Sequence, residues 1–126
     1  MNQYLFEPAE DALVAYLRST QATEVGVDVP PERPDRFIRV ERTGGAPKLA
    51  HDVVKVTFHC WAETREATAI LASETMRHVL NARVVADRPV RRNRVLKGPR
   101  RPTKNGGSEH YQFTVQMEIR GRFPTP

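Results

Sequence analysis

Apolar residues recur along this chain with two different periods, and the switches between them mark out its elements. Near the start, Leu5, Ala9, Ala12, Leu13, Tyr16 and Leu17 return at three- and four-residue steps. That is the spacing of one helix face, and Pro8 suits a first turn, so the pattern predicts a helix over about 8–19. So short a helix needs a surface to lie on. "TEVGVDV" (23–29) then reads as a short strand, and the prolines of "PPERPD" (30–35) force an extended connection, read as a rigid linker in preference to a docking motif.

From there the period falls to two. In "RFIRVERTGG" (36–45), Ile38 and Val40 share one face and Arg39 and Glu41 the other; in "DVVKVTFHCW" (52–61), Val54, Val56, Phe58 and Cys60 share a face. Gly44 and Gly45 are expected to stop the first strand. "GGAPKLAHD" (44–52) then becomes a flexible loop, too long for a tight turn, between two antiparallel strands. The helical period returns over about 63–81, with Thr64 as a cap and Asn81 as a terminator.

One arc of this second helix is polar: Glu63, Glu66, Ser73, Glu74 and Arg77. The rest, with Ala67, Ala69, Ile70, Leu71, Ala72, Met76, Val79 and Leu80, is wider than one sheet requires. Either its alanines tolerate both environments, or part of the helix packs on a neighbouring subunit.

The clearest alternation lies in "HYQFTVQMEIRGRF" (110–123). Tyr111, Phe113, Val115, Met117, Ile119 and Phe123 fall on odd positions, with polar residues between them. A strand over 110–122 would run roughly 43 Å, at about 3.3 Å per residue, and is expected to outlast its own sheet. Upstream, alternation is poor: a strand over about 90–97 is expected to break at Gly98 and Pro99 and to lead to a flexible tip at Asn105, Gly106 and Gly107. The whole predicts one α+β domain over 1–126, a single mixed or antiparallel β-sheet with two α-helices packed on one face.

Charge changes this picture locally. The chain carries a formal net charge of +5, yet eight of its 20 Lys and Arg lie in "RPVRRNRVLKGPRRPTK" (88–104), leaving 12 cations against 15 acids elsewhere. Arg91, Arg92, Arg94, Lys97, Arg100, Arg101 and Lys104 are therefore the candidate surface for an acidic partner: nucleic acid, an acidic protein face or a membrane surface. The prolines and glycines disfavour a groove-binding helix. The lack of Phe, Tyr or Trp disfavours base stacking, leaving contact with phosphates.

Other chemistry finds little support. His59 and Cys60, as strand neighbours, point to opposite faces and cannot share a metal ion, and no second ligand pair stands at metal-binding spacing. Cys60 reads as a core residue, and its being the sole cysteine suits a reducing compartment. "GGAPK" lacks the spacing of a phosphate loop. No catalytic constellation and no cofactor are expected. The first residues lack a signal-peptide pattern and no window is apolar enough to span a bilayer, so a soluble cytosolic product without membrane contact is expected.

Three segments, "VPPERPDRFIRVERTGG", "DVVKVTFHCWAETREATAILA" and "GPRRPTKNGGSEHYQFTVQMEIRG", together resemble the tail terminator proteins of long-tailed bacteriophages, particularly those of actinobacteria. The likeness runs from about Val25 to Arg120 and rests on order and spacing. It implies a structural protein without enzymatic activity, found in the neck of the virion tail and assembled in the host cytoplasm. Such proteins form a homo-oligomeric ring, usually a hexamer, that caps the head-proximal end of the tail tube. The ring ends polymerisation of the tube protein and offers a docking surface to the head-completion protein.

The resemblance also implies an assembly loop that is mobile before assembly, here around Thr43, Gly44, Gly45, Lys48 and His51. A head-to-tail ring needs two different patches on each subunit. The wide helix face (Ala69, Ala72, Met76, Leu80) and the end of the carboxy-terminal strand (Phe123) are the candidates. The basic stretch would face the lumen, the DNA passing through it, or the next ring. The competing readings are another head–tail connector of similar size and a small basic nucleic-acid-binding module.

Overall fold

Helix α1 (Ala9–Thr20) forms where the three- and four-residue spacing places it, with Pro8 at its amino-terminal boundary and Ala9, Ala12, Leu13, Val14 and Leu17 buried. The computed structural model describes residues 4–102 and 110–123. After α1 the chain runs through β1 (Glu24–Gly26), β2 (Phe37–Lys48), β3 (His51–Trp61), helix α2 (Arg65–Leu80), β4 (Val84–Val85), β5 (Arg88–Arg100) and β6 (Tyr111–Arg120). The α+β class with a single sheet and two helices is as expected.

The six strands form one mixed sheet in the order β1-β2-β3-β6-β5-β4. Only β1 and β2 run parallel; the other pairs are antiparallel. Even positions of β2 and β3 and odd positions of β6 supply Ile38, Val40, Val54, Val56, Phe58, Cys60, Phe113, Val115, Met117 and Ile119 to one buried cluster. Both helices join that same cluster, through Leu13 and Leu17 of α1 and Leu71, Ala72 and Val79 of α2. They therefore lie on one face of the sheet, and this face holds the core.

At its centre Phe58 and Phe113 stack with ring centroids 4.9 Å apart, both fully buried. Truncating either to Ala would cost about 3–5 kcal/mol in a core of this kind. The Tyr16 hydroxyl donates to the carbonyl of His78 at 2.8 Å, joining the helices, and the Arg18 guanidinium donates to the carbonyl of Val25, joining α1 to β1. Helix α2 begins as expected: Thr64 Oγ1 accepts from the Ala67 amide at 3.0 Å.

Three expectations are corrected and one strand is added. The segment at Gly44 and Gly45 does not end β2, which continues to Lys48 and pairs through to His51, so that Leu49 and Ala50 alone make the turn. A register shift between Arg42 and Gly44 absorbs the glycines as a bulge. Gly45 has φ +86°, and a Cβ there would lie 2.0 Å from the Val53 carbonyl oxygen, so glycine lets the strand continue where a side chain could not.

Second, β5 is not broken at Gly98 and Pro99 but reaches Arg100. Third, β6 does not outlast its sheet: it ends at Arg120 and is paired along its length, with β3 on one side and β5 on the other. Beyond it Arg122 pairs only with Leu5. The added strand, β4, not anticipated from the sequence, forms a hairpin with β5 through Ala86 and Asp87, both at positive φ. Two successive positive φ values give the turn that matches strand twist. The expected tip at Asn105, Gly106 and Gly107 lies outside the described residues.

Candidate functional site: the uncovered face of the sheet

Among the described residues no helix covers the second face of the sheet, and the polar residues of β3 and β6 meet there in register. Lys55 stands beside Gln116, Thr57 beside Thr114 and His59 beside Gln112. Strand β5 completes this face in an unusual way. In a regular strand, residues three apart point to opposite sides. In β5, register shifts fall between Arg91 and Arg94, between Val95 and Lys97, and between Lys97 and Arg100. Each inserts one extra residue into β5, so that every three-residue step from Arg91 to Arg100 matches two residues of β6.

As a result Arg91, Arg94, Lys97 and Arg100 pair in turn with Glu118, Gln116, Thr114 and Gln112, which alternate along β6 and share the uncovered face. A basic period of three, unreadable as a strand pattern, becomes a straight row of cations. Two residues of β6 advance about 7 Å, so the backbone positions that carry the cations repeat at about that spacing. At the first bulge Arg92 takes φ 53° and the side-chain Nδ2 of Asn93 donates to the Val79 carbonyl of α2 at 2.7 Å, which fixes the bulge against the helix.

The two ends of the row differ electrostatically. Arg91 donates to Glu118 at 2.7 Å, and Arg92 lies 3.6 Å from the same carboxylate. The hydrogen bond from Arg91, aided by the charges of Arg91 and Arg92, holds the Glu118 carboxyl below its ordinary range. His51 nearby is pushed below its ordinary value, first by burial and then by Arg91 and Arg120. At the other end Lys55, Arg94, Lys97 and Arg100 are exposed and have no ion pair among the described residues.

Between them runs a groove of about 350 Å³ lined by Thr43, Lys55, Thr57, Leu96, Lys97, Arg100, Gln112 and Thr114. Its floor is a chain of hydroxyls: Thr57 and Thr114 meet at 2.9 Å, and Thr43 and Thr57 at 3.4 Å. Hydroxyls, amides and cations together form a surface rich in donors. A second groove, of about 470 Å³, is lined by Arg92, Asn93, Arg94, Gln116 and Glu118.

Past the Arg100 end the same face carries aromatic rings. Trp61 is nearly buried between the His110 ring, 4.9 Å away, and the Arg33 guanidinium at 5.2 Å. His59 Nε2 is 2.8 Å from Glu41 Oε1. His59 and Glu41 are thus paired with each other, and among the described residues no group of three or more His, Cys, Asp or Glu could hold a metal ion. Cys60 lies on the opposite, core face, where burial pushes its thiol up to about 12, so the nucleophilic thiolate is absent at neutral pH. Among the described residues no helix is long and apolar enough to cross a membrane.

The other expected sites fare unevenly. Arg101 is exposed just beyond β5, and Lys104 lies outside the described residues. The supposed assembly loop is strand: Thr43, Gly44, Gly45 and Lys48 belong to β2 and His51 to β3. Of the candidate interface residues, Ala72 is fully buried in the chain's own core and has no surface to offer a neighbour; Ala69, Met76 and Leu80 are half-buried, and Phe123 is exposed. Lys55 and the threonine floor were not anticipated. The one signal for them was the recurrence of cations at 91, 94, 97 and 100. No protein-family model matches this chain, and no curated protein matches it in sequence.

Proposed function

We propose that this chain is a structural assembly protein, the tail terminator of a long-tailed bacteriophage. In this reading it closes with copies of itself into a ring, a hexamer, on the head-proximal end of the tail tube. The ring stops addition of tube protein and receives the head-completion protein. The sequence resemblance suggests the reading, and the α+β architecture is compatible with it.

The observation that carries it is the placement of exposed apolar side chains. Ile70, 56% exposed, stands on the outer side of α2 within two turns of its start, near the end of the sheet where Cys60 pairs with Tyr111. Leu5 and Phe123, 60% and 54% exposed, lie past the other end, beyond Arg120. Tyr4 packs edge-on against Phe123 at 5.2 Å, extending that patch. A head-to-tail ring requires two different surfaces on each subunit, here the Leu5–Tyr4–Phe123 patch and the separate exposed side chain of Ile70, whereas a two-fold dimer needs one patch that matches itself.

Light scattering and negative-stain imaging of the purified protein test this. Rings of one stoichiometry are expected. Ile70→Asp and Phe123→Asp should each abolish the ring; mixed together, they should give a heterodimer that cannot close, since each keeps one intact patch. Protein that stays monomeric at high concentration overturns ring assembly. In a phage lacking the protein, overlong tubes are expected; normal tails beside unjoined heads would instead assign a connector role.

A further inference from the structure

We infer that the uncovered face of the sheet binds the phosphodiester backbone of nucleic acid, through the row Arg94, Lys97 and Arg100 together with Lys55. Three features of the face lead to this class of partner. The backbone positions that carry the cations pair with alternate residues of β6, Gln116, Thr114 and Gln112, and so repeat about every 7 Å along the sheet. That repeat is close to the separation of successive phosphates along a nucleic-acid strand, whereas the carboxylates of an acidic protein surface follow no such line.

The neutral groups between the cations are donors as well. Gln112 and Gln116 occupy the β6 positions beside the row, so a phosphate oxygen drawn in by charge meets amide hydrogens, while the buried Thr57 and Thr114 hydroxyls bond each other beneath. The surroundings also argue against a protein partner. Leu96, half-buried, is the one apolar residue lining the groove, while a protein–protein interface builds its centre from apolar and aromatic side chains.

The same composition limits what is read. Trp61 is enclosed by Arg33 and His110 and offers no stacking platform, so the contact is with the backbone and independent of sequence. Arg91 contributes less than the other three members of the row, since Glu118 already holds it at 2.7 Å. All four binding cations come from one chain, so this inference does not rest on ring assembly.

Binding of the full chain to a short fluorescent DNA duplex of mixed sequence, followed by anisotropy across a salt series, tests it. Each phosphate contact contributes about 0.9 to the slope of log affinity against log salt. The triple variant Arg94→Gln, Lys97→Gln, Arg100→Gln should therefore lose about 2.7 from that slope. A charge-matched triple on and after α2, Arg65→Gln, Arg77→Gln, Arg83→Gln, should leave it within about one unit. Lys55→Gln alone, an exposed change with little effect on folding, should lower it by about one.

Equal losses from both triples would reduce the effect to net charge and overturn the inference. So would an unchanged slope in Lys55→Gln. Displacement of the duplex by polyglutamate at matched charge concentration would overturn it in favour of an acidic protein partner.

Discussion

Gly45 is the residue on which the length of β2 depends. Its φ of +86° lies in the left-handed region, and a Cβ would meet the Val53 carbonyl oxygen at 2.0 Å and its carbon at 2.9 Å, both backbone atoms that cannot swing aside. Gly45→Ala combines the left-handed penalty with a backbone clash and should destabilise the protein by more than about 2 kcal/mol. Gly98 has nothing within 4 Å of such a Cβ, so Gly98→Ala should stay within about 0.5 kcal/mol of the parent. Urea unfolding of the two variants checks the contrast; similar losses would show that the bulge is not set by this glycine. Reading "GGAPKLAHD" as a flexible loop fails here for a physical reason. A glycine pair in a sequence signals permissive backbone, and only the partner strand reveals whether that freedom ends a strand or bends it.

At the scale of elements, the β4–β5 hairpin shows how little local sequence a strand pair needs once the sheet supplies an edge. Val84 and Val85 are two residues long as a strand, and Ala86 and Asp87 turn the chain at φ 48° and 60°. Neither residue is the best for that conformation, which Asn-Gly adopts more readily. Replacing Ala86–Asp87 by Asn-Gly should raise stability by about 1 kcal/mol, read as a higher denaturant midpoint at unchanged slope. A drop would mean that the two side chains make contacts that outweigh the turn. Strand β5 itself was half legible. Its cations are evident in the sequence but its alternation is poor; the cause is three register shifts, which become visible only against β6.

For the whole molecule, one core joins both helices to the central strands, and this decides how it unfolds. Leu13 and Leu17 of α1, Leu71 and Val79 of α2, and Phe58 and Phe113 belong to a single buried cluster. Trp61 reports from the uncovered face, at the far side of the sheet from the helices. Its fluorescence and the far-UV circular dichroism should therefore follow one coincident transition. Leu71→Ala should shift both by the same amount, about 2–5 kcal/mol. Separate transitions would divide the helices from the sheet as independent units. The same layering gives the molecule its division of surfaces, since placing both helices on one side leaves the other side of the sheet free to carry charge.

Periodicity by itself determined both helices, the core strands and the face each buries, because alternation and the helical repeat follow from local geometry that any fold must respect. The inward positions of β3 and β6 and the caps of α2 were readable for that reason. The site was legible only as a basic composition between 88 and 104. Tertiary structure decided the continuation of β2 through Gly44 and Gly45, the burial of Ala72, the pairing of β6 on both sides and the alignment of Arg94, Lys97 and Arg100 with Lys55. Each of these depends on what lies opposite in the sheet or beneath a helix, and a bulge turns a side chain to a new face only in relation to its partner strand.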